Sequence, residues 1–420
     1  MRILLAHTYY KLPGGEDGVF AAESALLRQS GHEVVEYREH NRRIDGLSPI
    51  SAAAKTVWNR EAHASFSALL ERERPDVCHF HNTFPIMSPA VFYAAKAQRI
   101  PVVVTLHNYR FLCPAATFLR DGKVCEQCLP SVFKWPAPLY GCYRESRPAS
   151  AVTALMLGTH RMLGTWRRTV DAYIALTEFA RAKFVRGGLP AGKVMVKPNF
   201  VSPDPGMSGE REDFALFVGR LMEEKGIATL LAAWRSLDIP MRLKIAGDGP
   251  LAGMVKEAAT NDPRIEWLGT ISSDQVRAQM KRARVLVFPS IWYEGLPLTV
   301  LEAYATGLPV IASDLGSMVE LIGHGETGVR FKPGDARELA GWIGWSWSNR
   351  NSVEAMGRRA RQRYEDNFTA GANYRRLMEV YVAALGEASR VRERSGLGLP
   401  ERSCTSDSRW LWQRSKGRPL

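Results

Sequence analysis

The chain has 420 residues, 45% of them hydrophobic and 24% charged, with a net charge of +13. That balance excludes a fibrous or wholly disordered protein, and the length allows two domains of ordinary size. No stretch approaches the ~20 apolar residues that cross a bilayer. Residues 1–6 (Met-Arg-Ile-Leu-Leu-Ala) are too few for a signal-peptide core, so a cytoplasmic location is expected. Residues 390–420 carry eight Lys or Arg against three Asp or Glu. The remaining positive charge gives a surface that attracts phosphates or anionic lipid. No nucleic-acid motif accompanies it, and no nucleic-acid partner is expected.

In chain order, Arg2–Thr8 reads as a buried strand, followed by a loop with Gly14-Gly15 and a helix ending near Ser30-Gly31. Glu33–Arg38 alternates as a second strand. A helical stretch over 51–72 precedes strand Asp76–Asn82, and Pro101–His107 is the clearest buried strand of this half. Residues 109–148, rich in Cys, Pro, Gly and aromatics, read as an insertion outside the sheet. Helix 149–168, strand Ala172–Thr177, a short helix and strand Val194–Lys197 complete the unit. Three prolines within 198–211 mark a linker. The second half restarts with strands Phe214–Gly219, Met241–Gly247, Ile265–Gly269, Val285–Ser290 and Pro309–Ser313, then helical stretches 335–348 and 352–388. Strands alternating with helices imply right-handed βαβ units and parallel sheets, an α/β protein of two doubly wound domains.

The chemistry concentrates after two strands of the second half. Gly219-Arg220-Leu-Met-Glu-Glu-Lys225-Gly226 follows one strand and opens a helix, a setting suited to a pyrophosphate. Glu294-Gly295-Leu296-Pro-Leu-Thr-Val-Leu-Glu302 follows another, at the strand end where open α/β sheets bind ligands. Eight residues at helical rise separate the two carboxylates by about 12 Å, beyond the ~5–9.5 Å of glycosidase pairs. Two contacts on one extended ligand fit better, since a carboxylate accepts hydrogen bonds from two hydroxyls at once.

The Glu-x7-Glu segment, together with the Gly219–Gly226 loop, resembles the family-four retaining glycosyltransferases. The resemblance spans about residues 1–388 and implies the GT-B architecture: two facing Rossmann-like domains, with the terminal helix crossing back to the first. The units expected are an acceptor-side domain 1–200 carrying insertion 109–148, a nucleotide-sugar domain 201–368, a crossover helix 369–388 and a disordered basic tail 389–420. By the match, Arg220 and Lys225 hold the donor diphosphate, Glu294 approaches the donor sugar and Glu302 takes the ribose hydroxyls. Gly219, Gly295 and Leu296 belong to the same donor loops. Gly14 and Gly15 face donor and acceptor across the cleft, His107 contacts the transferred sugar, and Asn199 lies near the cleft. On residues alone Gly14-Gly15 reads as a tight turn and His107 as a structural histidine. His79 and His81, alternating along one strand, read as structural.

Four of six cysteines, Cys113, Cys125, Cys128 and Cys142, fall within thirty residues. One Cys-x2-Cys pair with two flanking thiols can supply four tetrahedral ligands, while buried thiols and a disulfide stay open. The insertion resembles a cysteine-bearing subgroup of the same enzymes, and structural zinc is the expectation. No cofactor is expected for catalysis, since no Asp-x-Asp metal motif is present. Helix 149–170 carries Leu, Met and Trp with Arg161, Arg167 and Arg168. It reads as core packing with a basic outer face, the alternative being peripheral membrane contact at the inner face. The implied reaction moves a hexose-type sugar from a nucleotide-sugar donor to a glycan or lipid-linked acceptor, in cell-surface polysaccharide synthesis. A sugar-nucleotide epimerase of the same fold and a non-catalytic nucleotide-sugar-binding protein are the rivals.

Overall fold

A computed structural model describes residues 1–11, 14–207 and 209–394. Strands β1 (Arg2–Tyr9), β2 (Glu33–His40), β3 (Val77–Asn82) and β4 (Val102–Leu106) belong to the first half. A short antiparallel hairpin, β5 (Leu119–Arg120) and β6 (Lys123–Val124), sits in the insertion, and β7 (Ala172–Ala175) and β8 (Val194–Val196) follow. The second half contributes β9 (Phe214–Val218), β10 (Arg242–Ala246), β11 (Ile265–Gly269), β12 (Val285–Phe288), β13 (Val310–Ser313) and β14 (Gly328–Phe331). They form two six-stranded sheets, ordered β2-β1-β3-β4-β7-β8 and β11-β10-β9-β12-β13-β14. The paired strands within both run parallel. Central strands such as β3, β4 and β12 are buried throughout, as near-continuous apolar runs require when helices cover both faces.

Each sheet reverses its strand order once, between β1 and β3 in the first and between β9 and β12 in the second. Crevices at the carboxyl ends of the strands form at such reversals. The Gly14-Gly15 loop follows β1, the Arg220–Lys225 loop follows β9 and the Glu294 loop follows β12. Topology alone therefore places the Arg220–Lys225 and Glu294 loops at one switch point.

Helix Ala370–Arg394 returns to the first sheet, burying Leu377, Val380, Tyr381 and Ala384 against Ile3, Leu5, Val103 and Ile174. It runs through Arg394, so the chain is still helical beyond the boundary expected at 388. The rest of the expected tail, 395–420, lies outside the described residues. Two helical stretches are broken. The stretch expected over 51–72 is two helices, Pro49–Val57 and Arg60–Glu73, because the Asn59 side chain caps the second by accepting from the Glu61 and Ala62 amides. The one expected over 352–388 is divided into Arg350–Asn367 and Ala370–Arg394. The last strand, β14, has no counterpart among the strands expected from the sequence.

Candidate active site

Gly226 fixes the loop that follows β9. It adopts φ +71°, and a Cβ there would sit 2.0 Å from the Pro289 carbonyl oxygen, so only glycine lets the β9 loop lie against the end of β12. That approach brings Lys225 to Glu294: Nζ donates to Oε1 at 2.7 Å. Ser290 Oγ and Trp292 Nε1 donate to the same oxygen, each at 2.7 Å. Glu294 is buried, and its Oε2 accepts nothing among the described residues. The Lys225 ammonium also lies 5.2 Å from the centre of the Trp292 ring. One carboxylate oxygen is thus fully engaged and the other left open, which suits a sugar hydroxyl. Arg220 is exposed on the same loop and free of side-chain partners among the described residues, while the Gly219 amide donates to the Ala246 carbonyl at 3.0 Å.

Glu302 sits on helix Leu298–Ala305, half-buried, with Arg277 Nη1 3.8 Å away. Burial raises its pKa above the ordinary carboxylate value, and Arg277 partly offsets that. The helix thus carries a desolvated, weakly paired carboxylate able to accept hydrogen bonds.

Three contacts from the first domain close over this loop. A Cβ on Gly295 would lie 2.9 Å from the His107 carbonyl oxygen. The Tyr109 hydroxyl donates to the Glu294 carbonyl at 3.4 Å, and Asn199 Nδ2 donates to the Leu296 carbonyl at 3.2 Å. Leu296 is itself buried in the core of the second domain, so Asn199 and Leu296 clamp the loop in this arrangement. A Cβ on Gly15 would lie 4.0 Å from Leu298 Cδ1, and Gly14 has an extended backbone with no strain to relieve. The sequence-derived residues Gly14, Gly15, His107, Asn199, Lys225, Glu294, Gly295 and Leu296 converge here. Arg220 is exposed on the β9 loop, and Glu302 lies within the helix that follows the Glu294 loop.

His107 is neutral. Burial first, and the neighbouring His7 and Lys197 next, push its pKa down to about 3. Its Nε2 lies 3.0 Å from His81 Nδ1, and the two rings stack. His81 is therefore a positioning group for His107. Both nitrogens of His79 are taken, by the Tyr381 and Thr105 hydroxyls at 2.9 and 2.7 Å. Glu23, His79 and His81 bring ligating atoms within 4.8 Å of one another, but the buried Lys197 ammonium already pairs with Glu23 at 3.2 Å. That cluster is a polar brace between the first sheet and the terminal helix.

Sequence reasoning missed Glu16. It follows Gly14-Gly15 in the first turn of helix Gly15–Gln29, where an acid reads simply as a partner of the helix dipole. Folded, its Oε2 accepts from Asn108 Nδ2 at 3.3 Å, and Oε1 is buried without a partner among the described residues. Burial, reinforced by Asp17, pushes its pKa up to about 8. A raised carboxyl pKa lowers stability as pH rises from the unfolded value towards the folded one, because the native state holds the extra proton. Glu16→Gln is accordingly expected to melt close to the parent near pH 5 and above it at pH 8. A melting difference that is flat across this range contradicts the protonated assignment.

A glycosyl transferase 4-like domain profile matches residues 19–199, and a glycosyl transferases group 1 profile matches residues 203–363. The two fall in sequence on the two sheets. The chain belongs to the GT-B glycosyltransferases. It is 37% identical over 290 residues to the putative teichuronic acid biosynthesis glycosyltransferase TuaC of Bacillus subtilis, covering 69% of this chain and 63% of that protein. It is 34% identical over 161 residues to the D-rhamnosyltransferase WbpZ of Pseudomonas aeruginosa, covering 37% of this chain and 42% of that protein. The matches thus span less than two thirds of these curated relatives. Anabaena HepE, solved with UDP-glucose, shares the fold of this GT-B chain with a TM-score of 0.64 at 16% identity, over 90% of this chain and 99% of that one. Among the described residues no helix is long and apolar enough to cross a membrane.

Proposed function

We propose that the chain is a retaining glycosyltransferase that moves a hexose-type sugar from a nucleotide sugar to a glycan or lipid-linked sugar acceptor in polysaccharide biosynthesis. The observation that carries this reading is the Lys225–Glu294 pair at the switch point of the second sheet, capped by His107 from the first. Lys225 has three N–H donors, so it can keep Glu294 and still bind a phosphate. With Arg220 it would stabilise the charge that grows on the leaving diphosphate, the contribution that often dominates such catalysis. The helix Leu298–Ala305 opens just after Gly295-Leu296-Pro297, and its positive end favours the same anion. Glu294 Oε2 would accept sugar hydroxyls, Glu302 the ribose hydroxyls, and neutral His107 would hydrogen-bond the sugar without adding charge.

In this reading Glu294, with one oxygen pinned by three donors, keeps the other for sugar hydroxyls and makes no covalent attack. The acceptor oxygen would bond to the anomeric carbon on the face the diphosphate leaves, its proton passing to the departing phosphate oxygen. Incubation with nucleotide sugars and an acceptor is expected to give a product that keeps the donor's anomeric configuration. Inversion overturns the retaining mechanism. Epimerised free donor, formed without acceptor, would instead establish the rival epimerase.

The exposed apolar surface supports a lipid-linked acceptor. Phe133, Trp135, Tyr140, Leu155, Met162 and Leu163 are all exposed. A Cβ on Gly158 would meet the Phe133 ring at 2.8 Å, so Phe133 lies on helix Arg147–Met162 beside Leu155 and Met162, which share its face. Helix 147–162 is thus not covered by core on every apolar position, contrary to the reading of simple core packing. Arg144, Arg147, Arg167 and Arg168 are exposed around the patch, and Glu145 is the sole acid within 131–168. Aromatics with a basic rim match an anionic bilayer surface. The parent is expected to sediment with phosphatidylglycerol vesicles, and Trp135→Ser/Leu155→Ser to stay in solution; equal sedimentation of the two contradicts it.

A further inference from the structure

The loop that carries Glu294 has no helix or strand from 289 to 297, so discrete anchors hold it rather than a ladder of strand bonds. Some come from its own domain: Ser317 Oγ donates to the Glu294 carbonyl at 2.7 Å, and three donors hold Oε1. The preceding residue, Tyr293, reaches the other domain. It belongs to the second half of the chain, yet its ring packs against the core of the first. Phe179 meets it edge-on, 4.9 Å between ring centres, with Phe118 at 6.0 Å and Tyr109 at 6.4 Å. Gly316 leaves room for the ring, since a Cβ there would lie 2.9 Å from Tyr293 Cδ1 and 3.4 Å from Phe179 Cε1.

The insertion supplies the partner of the Tyr293 hydroxyl, which donates to Glu126 Oε1 at 3.0 Å. Glu126 sits between Cys125 and Cys128, in a turn closed by the Leu129 amide on the Glu126 carbonyl at 2.9 Å. Lys183 donates to the same carboxylate oxygen, and Arg186 stands 3.4 Å from the other, both on helix Glu178–Arg186. The Lys183 ammonium also lies 5.1 Å from the centre of the Tyr293 ring. Burial would raise the Glu126 carboxyl, but Lys183, Tyr293 and Arg186 outweigh it and hold it below its ordinary value. Burial first, and Glu126 next, push the Tyr293 phenol up to about 12. At neutral pH a protonated donor thus faces an ionised acceptor, a charge-assisted hydrogen bond between the domains. Cys113, Cys125, Cys128 and Cys142 are unpaired, and among the described residues no three of their sulfurs lie within 4.8 Å of one another. The insertion bears on the site through Glu126 and through the Tyr109 hydroxyl on the Glu294 carbonyl.

We propose that Glu126 and Tyr293 are positioning residues for Glu294, joined by a hydrogen bond through which the insertion sets the loop bearing that carboxylate. The inference rests on the reading of Glu294 as the contact to the donor sugar. The Tyr293 hydroxyl is taken by Glu126, so the pair acts through the backbone that Tyr293 shares with Glu294. In the arrangement observed, the Tyr293 side chain fixes the backbone on one side of Glu294, while Tyr109 and Ser317 fix the carbonyl on the other. Slack on the first side would carry the open Oε2 away from the sugar, and a misplacement of about 1 Å can cost on the order of 10² in rate. The insertion thereby has a task in the reaction itself.

Tyr293→Phe keeps the ring in its seat and removes only the hydrogen bond. Turnover is read as nucleoside diphosphate released from UDP-, GDP-, ADP- and dTDP-hexoses without added acceptor, and binding as the melting shift given by these donors and by the free diphosphates. Tyr293→Phe and Glu126→Ala are each expected to lower kcat about 10-fold, the worth of one hydrogen bond to an ionised group. The double variant should lose no more than either, because both changes break the same bond. The shift given by the free diphosphate should match the parent's in all three, while the extra shift given by the sugar shrinks. Parental kcat in Tyr293→Phe and Glu126→Ala beside an impaired Glu294→Ala overturns the inference alone, as do losses that multiply in the double variant. Lowered melting with parental kcat would make the bond merely structural and overturns it as well. Parental turnover in Glu294→Ala, or a parent neither turning over nor stabilised by any of the four donors, removes the reading of the site and the inference with it.

Discussion

Lys225→Ala is expected to lower turnover by about 10²–10³, the usual cost of removing one preorganised donor from a developing anion. Arg220→Ala should do the same. The two should differ in a second respect. Arg220 is exposed and pairs with no described side chain, so its loss should leave the melting temperature unchanged. Lys225 is one of three donors on Glu294 Oε1, and its loss should lower melting slightly while Ser290 and Trp292 hold the carboxylate in place. Steady-state turnover and thermal melting of both variants check this. Near-normal turnover in both removes the diphosphate assignment.

A large stability effect is expected at Gly226. Alanine there takes a left-handed backbone costing roughly 1–2 kcal/mol and forces a Cβ 2.0 Å from the Pro289 carbonyl. Overpacking of that kind costs about 1–3 kcal/mol more, so melting should fall by on the order of 10 °C. Turnover should fall with it, because the displaced residue adjoins Lys225. A variant that melts within a degree of the parent contradicts the close approach of the two loops.

The apolar runs such as Val102–Leu106 and Val285–Phe288 exposed the sheets directly in the sequence, since strands buried on both faces need uninterrupted hydrophobicity. The spacing of Glu294 and Glu302 after one of them gave the donor loop. Other features stayed hidden for identifiable reasons. The strand Gly328–Phe331 has only four residues and includes Arg330, so it carries no run to detect. The break at Asn59 depends on a cap that forms only when the side chain turns back on its own helix. Glu16 reads as a plain partner of its helix start, because burial of a polar group is decided by distant segments that fold over it. The contact of Gly295 with His107 joins residues on opposite domains, and no local pattern encodes it.

The central claim, that this crevice binds a nucleotide sugar through Lys225, Glu294 and Glu302, is tested most directly by ligand-dependent melting. The parent, Glu294→Ala and Glu302→Ala would be melted with saturating UDP-, GDP-, ADP- and dTDP-sugars and with the matching free nucleotides. One nucleotide class should raise the parent's melting temperature, since a ligand at 100 times its Kd adds about 2.7 kcal/mol to native-state stability. Glu302→Ala should lose the shift given by the free nucleotide, whereas Glu294→Ala should keep it and lose only the extra shift given by the sugar. No shift of the parent with any nucleotide sugar, or identical losses in the two variants, would contradict the account.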